Sequence, residues 1–286
     1  MKSRLATTLV TVAVLLGACS SAATTAPSAA PAATPATSAS AAAQASAAAG
    51  GLTIYAAASL KSVLAKAQTA YQAANPGVTL TISTDSSSAL ETKIEQGAPA
   101  DVFLSADTAN PQKLVDKGLA SGTVTKFAGN LLTVIVPTAN PAGIKTPADL
   151  ANAGVKIITC GATVPIAKYA AQLVANLAKV SGYPADFIAK YTANIASKED
   201  NVSAVVSKVA LGEGDAGIVY VTDAKTSTQV TTIPIPDGSN VPATYGGVVV
   251  KASANQAAAT AFLAWLASPA GQAVFAAAGF LPSPAN

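Results

Sequence analysis

From Leu52 onward the apolar positions keep two alternating rhythms. Compact apolar runs suit buried strands, and runs with apolar residues three and four apart suit helices laid on a sheet. Leu52 to Ala57 reads as a strand. A helix follows from Leu60 to Asn75, with Val63, Leu64, Ala67 and Tyr71 on one face, Ser59 as its cap and Asn75-Pro76-Gly77 as its stop. Val78 to Ser83 reads as a second strand, and Asp85-Ser86-Ser87-Ser88 opens a helix that reaches Gln96. Asp101 to Ser105 reads as a third strand, and Asn110-Pro111 begins a further helix stopped by Gly118. This β-α-β-α-β-α succession predicts a parallel sheet with helices on its faces.

Asn130 to Pro137 reads as one longer strand, after which the rhythm restarts. Val155 to Cys160 is a strand, and Val164-Pro165 introduces a helix from Ile166 to Leu177. Phe187 to Tyr191 reads as a short helix and Thr192 to Ala196 as a weak strand. Ser197 to Tyr220 then reads as a helix capped by Asp200 or Asn201, a stop at Gly212 and Gly214, and a buried strand with Tyr220 near its end. A helix N-terminus facing a strand-end phenol is a binding corner in form, although α/β chains use the same punctuation without function. Thr232 to Pro236 and Tyr245 to Lys251 read as strands, the second returning to the first series. Helices from Gln256 to Leu266 and from Pro269 to Ala278 end the chain.

Two β-α series joined by two strand-like runs predict an α/β protein of two lobes. Residues 51–133 and 245–286 form lobe 1, and residues 134–244 form lobe 2. Ligands of open α/β sheets sit beyond the carboxyl ends of the strands, so two such lobes create a cleft between them.

The first 50 residues do not share this rhythm. Lys2 and Arg4 precede an apolar run from Leu5 to Leu16, then Leu16-Gly17-Ala18-Cys19. That layout is a secretory signal over residues 1–18, its apolar run too short to span a bilayer. The four residues ending at Cys19 resemble a bacterial lipobox, which implies lipidation of Cys19 and anchoring to the outer face of the cell membrane. Residues 19–50 are almost wholly Ala, Ser, Thr and Pro and read as a disordered tether with an end-to-end distance of about 30 Å.

Composition narrows the chemistry. The 286 residues include no histidine, and the only arginine is Arg4. Ser-His-Asp and Cys-His catalysis and His-ligated zinc are therefore excluded. No guanidinium fork is left to hold an anion once the signal is removed. The 17 basic residues less Lys2 and Arg4 face 14 acidic ones, a near balance with no basic cluster, so nothing marks nucleic-acid binding. With Cys19 acylated, Cys160 has no disulfide partner and reads as a buried, inert thiol.

Five short motifs occur in order. They are Ala56-Ala57-Ala58-Ser59-Leu60; Ser86-Ser87-Ser88-Ala89-Leu90; the run from Gln96 to Asp107; Glu199-Asp200-Asn201-Val202; and Ala216-Gly217-Ile218-Val219-Tyr220. Together they resemble the periplasmic molybdate-binding proteins of molybdate ABC importers, over nearly the whole chain from Leu52 to Phe280. The resemblance implies a type II periplasmic-binding-protein fold, each lobe a mainly parallel sheet flanked by helices. It implies a bare oxyanion, molybdate or tungstate, held by the hydroxyls of Ser59 and Ser87, the amides of Ile166 and Val202, and the phenol of Tyr220. No side chain would bond the metal directly. No cofactor beyond the ligand is implied, no enzymatic activity, and the partner is a membrane permease served by a monomer. One departure falls at Ile166-Ala167, where the family usually has Ala-Gly.

Physical reasoning supports most of that set. Ser59, Ser87, Ile166 and Val202 fall at or near predicted helix N-termini, where unpaired amides and the helix dipole favour an anion without a full positive charge. Molybdate, tungstate and sulfate carry no proton near neutral pH, so donors alone suit them, whereas monohydrogen phosphate would want an acceptor. Asp85, Glu199 and Asp200 lie close in sequence and are read as facing away, since an inward carboxylate would repel a dianion. Three other readings remain at this point: a sulfate or other tetrahedral-oxyanion receptor, a hydrolase in the cleft, and a structural envelope lipoprotein.

Overall fold

A computed structural model describes residues 50–283 of the chain. The expected signal, Cys19 and all but the last residue of the expected tether lie outside the described residues. That last residue, Gly50, already pairs with Val78 as the first strand begins.

In chain order the strands are β1 (Gly50–Ala57), β2 (Val78–Asp85), β3 (Val102–Ser105), β4 (Ala120–Asn130), β5 (Leu132–Pro137), β6 (Ile157–Cys160), β7 (Ile195–Glu199), β8 (Ala216–Tyr220), β9 (Val230–Ile233) and β10 (Ala243–Val250). The helices are α1 (Lys61–Ala74), α2 (Ser87–Glu95), α3 (Ala109–Asp116), α4 (Pro165–Leu177), α5 (Phe187–Ala193), α6 (Val202–Ala210), α7 (Val221–Ala224), α8 (Gln256–Ala267) and α9 (Pro269–Ala277).

The strands form two five-stranded sheets, ordered β2-β1-β3-β10-β4 and β7-β6-β8-β5-β9. Each sheet is built the same way. Three strands lie parallel, and two antiparallel pairings follow, made by β10 in the first sheet and β5 in the second. The sheets are thus mixed, because the strands that cross between lobes run against the parallel set. Helical spacing explains the layers. Val63, Leu64, Ala67 and Tyr71 of α1 and Val202, Val205, Val206 and Val209 of α6 are all buried. Each Val or Leu among them contributes about 1.5–3 kcal/mol when fully withdrawn from water.

Several expectations need correction. The run from Asn130 to Pro137 is not one strand. β4 ends at Asn130 and β5 begins at Leu132 in the other sheet. Asn130 Oδ1 accepts the Leu131 N–H at 3.0 Å, which turns that amide away from a ladder and breaks the strand there. The first crossing therefore falls at Leu131, ahead of the boundary expected between residues 133 and 134. β4 itself was not anticipated. The weak strand expected over Thr192 to Ala196 lies later, as β7, because α5 continues to Ala193.

The two crossings are fastened to each other. Asn240 Oδ1 accepts the Leu132 N–H at 3.0 Å, and Asn240 Nδ2 donates to the Leu132 carbonyl at 2.8 Å. One side-chain amide thus serves as a strand partner across the hinge.

Candidate functional site

The ends of elements from both lobes converge on one cavity. β1 runs into a single 3-10 turn, Ala58–Leu60, that carries Ser59. β2 delivers Ser86 and Ser87 at the start of α2, and Ala106 follows β3. From the second lobe come Ile166 in the first turn of α4, Asn201 and Val202 at the start of α6, and Tyr220 at the end of β8. All five residues singled out from the sequence, Ser59, Ser87, Ile166, Val202 and Tyr220, line this cavity, whose volume is about 10 Å³. All five are buried, and no charged side chain lines the space. A cavity of that volume is about the room that one water needs, so the lobes must part to admit even a small solute.

The polar part of its lining is a set of donors, set among Ala57, Ala58, Val164 and Pro165. Ser86 caps α2, its hydroxyl accepting the Ala89 N–H at 3.3 Å, and Asn201 caps α6 by accepting the Ala204 N–H at 3.2 Å. These caps leave the earlier amides of each first turn, Ser87 and Val202 among them, without an intrahelical acceptor. Pro165 occupies the first position of α4 and has no N–H, so Ile166 is the first amide that helix offers. Ser87 Oγ accepts the Ala106 N–H at 3.0 Å, which leaves its proton to donate. Tyr220 Oη is buried and has no hydrogen-bond partner. Burial raises that phenol well above its ordinary pKa, followed by the influence of Tyr245, Tyr169 and two carboxylates, so it keeps its proton at neutral pH.

Ser59 departs from its expected part. It does not cap a helix; its hydroxyl lies 3.0 Å from Tyr245 Oη, deep in the first lobe. Sequence reasoning also missed Tyr245, which nothing in Thr244-Tyr245-Gly246-Gly247 distinguishes from a core aromatic.

The nearby carboxylates are occupied elsewhere. Asp85 accepts the Ser86 N–H at 2.8 Å and pairs with Lys93 at 3.1 Å, while Glu199 pairs with Lys208 at 2.8 Å and takes a hydrogen bond from Ser197. Neither they nor Asp200 line the cavity. Asp223, on α7 just after Tyr220, was not anticipated. It is buried, its Oδ2 has no partner, and burial pushes its carboxyl up to about 7 despite a hydrogen bond from the Tyr220 backbone. Cys160 is buried beside a separate groove of the second lobe, its thiol pushed up to about 12 by burial and then by Asp223, Glu199 and Asp200. Among the described residues no group of three acidic or cysteine side chains is placed to hold a bare metal cation.

The family model of bacterial extracellular solute-binding proteins matches residues 52–281. The chain belongs to that family. Among its relatives, the molybdate-binding protein ModA of Mycobacterium tuberculosis is 34% identical over 233 residues, which span 81% of this chain and 85% of the relative. The substrate-binding domain of a putative molybdenum ABC transporter from Clostridium difficile superimposes with a TM-score of 0.61 at 31% identity, covering 82% of this chain and 99% of that one. The sulfate-binding protein SubI of M. tuberculosis superimposes with a TM-score of 0.72 over 81% of this chain and 86% of its own, but at 22% identity the likeness is one of fold. Membership accounts for the two lobes with a cavity between them. In such solute-binding proteins each lobe contributes part of the ligand shell, as the two lobes here contribute to the cavity lining.

Proposed function

We propose that this protein is a receptor for molybdate, held to the outer face of the cell membrane by lipid on Cys19, acting as a monomer and passing the ion to an ABC permease. The observation that carries the reading is Tyr220 Oη, a buried proton donor with no protein acceptor, on a residue that lines a cavity shared with Ser59, Ser87 and the helix starts at Ile166 and Val202. An anion supplies the missing acceptor, and the first turns of α2, α4 and α6 favour it electrostatically.

The absence of any charged side chain from the lining suits a fully deprotonated tetrahedral ion. Monohydrogen phosphate would bring a proton with no carboxylate to receive it. The relatives 34% identical to this chain are molybdate-binding proteins, and tungstate, with the same charge and nearly the same size, is expected to bind as well. Sulfate has the same shape and charge, so its rejection rests on the shorter S–O bonds and on how closely the two lobes approach. The protein binds and releases its ligand and carries out no reaction, and no cofactor is involved.

Thermal unfolding with four ions tests this reading. Molybdate and tungstate are expected to raise Tm strongly and sulfate and phosphate little, since a ligand at 100 times its Kd adds about 2.7 kcal/mol. A larger rise with sulfate would make this a sulfate receptor of the same design, and no rise with either molybdate or tungstate refutes the proposal.

A further inference from the structure

A hydroxyl beside an anion helps only if its proton points at the ion. We infer that Tyr245 is a positioning residue for the oxyanion: it donates to Ser59 and thereby turns the Ser59 proton into the cavity. The inference rests on the molybdate reading above and adds to it a residue that does not line the cavity.

The hydrogen bonds can be followed proton by proton. Asn130 Oδ1 accepts the Leu131 N–H at 3.0 Å, which fixes which way the side-chain amide faces. Its Nδ2 then donates to Thr222 Oγ1 at 2.8 Å and to Tyr245 Oη at 3.4 Å, using both hydrogens. Having accepted one proton, Tyr245 Oη must place its own. The remaining partner is Ser59 Oγ, 3.0 Å away. If Ser59 donated instead, the Tyr245 proton would be buried facing the N–H of Asn130 with no acceptor, the costlier arrangement. Tyr245 therefore donates and Ser59 accepts, and the single Ser59 proton is free for the cavity.

Packing holds this arrangement in place. Tyr245 is wholly buried, with its ring centroid 5.6 Å from that of Tyr220, 5.6 Å from Phe280 and 6.2 Å from Phe127. Three rings packed around a buried phenol hold it beside Ser59. The network also straddles the hinge. Asn130 is the last residue of β4, Thr222 follows β8 in the second lobe, and Tyr245 lies on β10 in the first sheet. The amide that aims Tyr245 is thus itself fastened to the second lobe.

A double-mutant cycle tests the inference, using calorimetric titration of the full protein with sodium molybdate. Tyr245→Phe is expected to weaken binding about tenfold when Ser59 is present and less than about twofold in the Ser59→Ala background, because the phenol acts only through the serine hydroxyl. An equal loss in both backgrounds, or no loss beside Ser59, overturns the inference while leaving the receptor reading intact. A wild-type protein that takes up no molybdate refutes that reading, and this one with it. The melting transition of each variant without ligand monitors folding. Should Tyr245→Phe fail to fold, Asn130→Ala in the same two backgrounds asks the same question, since it removes the donor that aims the phenol.

Discussion

Ser87 Oγ accepts the backbone N–H of Ala106 at 3.0 Å, so the serine that faces the cavity also ties α2 to the end of β3. Ser87→Ala is therefore expected to act twice. It leaves the buried Ala106 N–H without a partner, costing about 1–3 kcal/mol of stability in the ligand-free protein. It also removes one donor from the ion, lowering molybdate affinity about tenfold. Calorimetric unfolding and titration of the same variant check both. An unchanged ligand-free Tm would show that this bond contributes nothing.

Tyr220 gives the opposite pattern. Its hydroxyl has no protein partner, so Tyr220→Phe deprives no protein group of a hydrogen bond. The ligand-free Tm is expected to stay level or rise, while the molybdate-induced rise shrinks by the equivalent of about 1–3 kcal/mol. Loss of stability without ligand, with molybdate binding unimpaired, would make the phenol a structural group instead.

Asp223 sets a pH dependence whose sign follows from burial. Its carboxyl is raised from 3.8 to about 7 in the folded protein, first by desolvation, with the Tyr220 backbone hydrogen bond opposing. Between those two values the folded chain keeps a proton that the unfolded chain releases. This contribution to stability is full below pH about 4, declines as pH rises toward 7 and is gone above it. Asp223→Asn keeps the shape without the charge. The variant is expected to melt higher than the wild type at pH 8 and to lose that advantage toward pH 4, with each kcal/mol worth about 2–4 °C. Parallel Tm–pH curves for the two proteins would contradict this.

What could be read in the sequence followed the strength of the local signal. The β-α alternation was legible because its strands are apolar runs and its helices carry aliphatic faces, as in α6 with Val202, Val205, Val206 and Val209. Four of the five cavity residues, Ser59, Ser87, Val202 and Tyr220, lie in the motifs that carry the family resemblance, whereas Ile166 lies in none and came only from what the resemblance implies. β4 was not legible. Its sequence, Ala120 to Asn130, is half polar and contains Gly122 at a positive φ of 79°, so no apolar run announces it. The break at Leu131 was hidden by the reverse effect, since apolar residues continue through it while a single side-chain amide decides where the sheets part. Ser59 lines the cavity but does not cap the helix as expected, and its bond to Tyr245 was out of reach of any local pattern because it joins residues 186 apart in the chain.

The clamp between Asn240 and Leu132 bears on how the lobes can move. Two separate straps would let one lobe slide, shear or twist over the other. Straps pinned together resist sliding past each other and bend as one. A joint pinned in this way favours rotation about one axis over every other motion, which would keep Val202 and Tyr220 in register with Ser59 and Ser87.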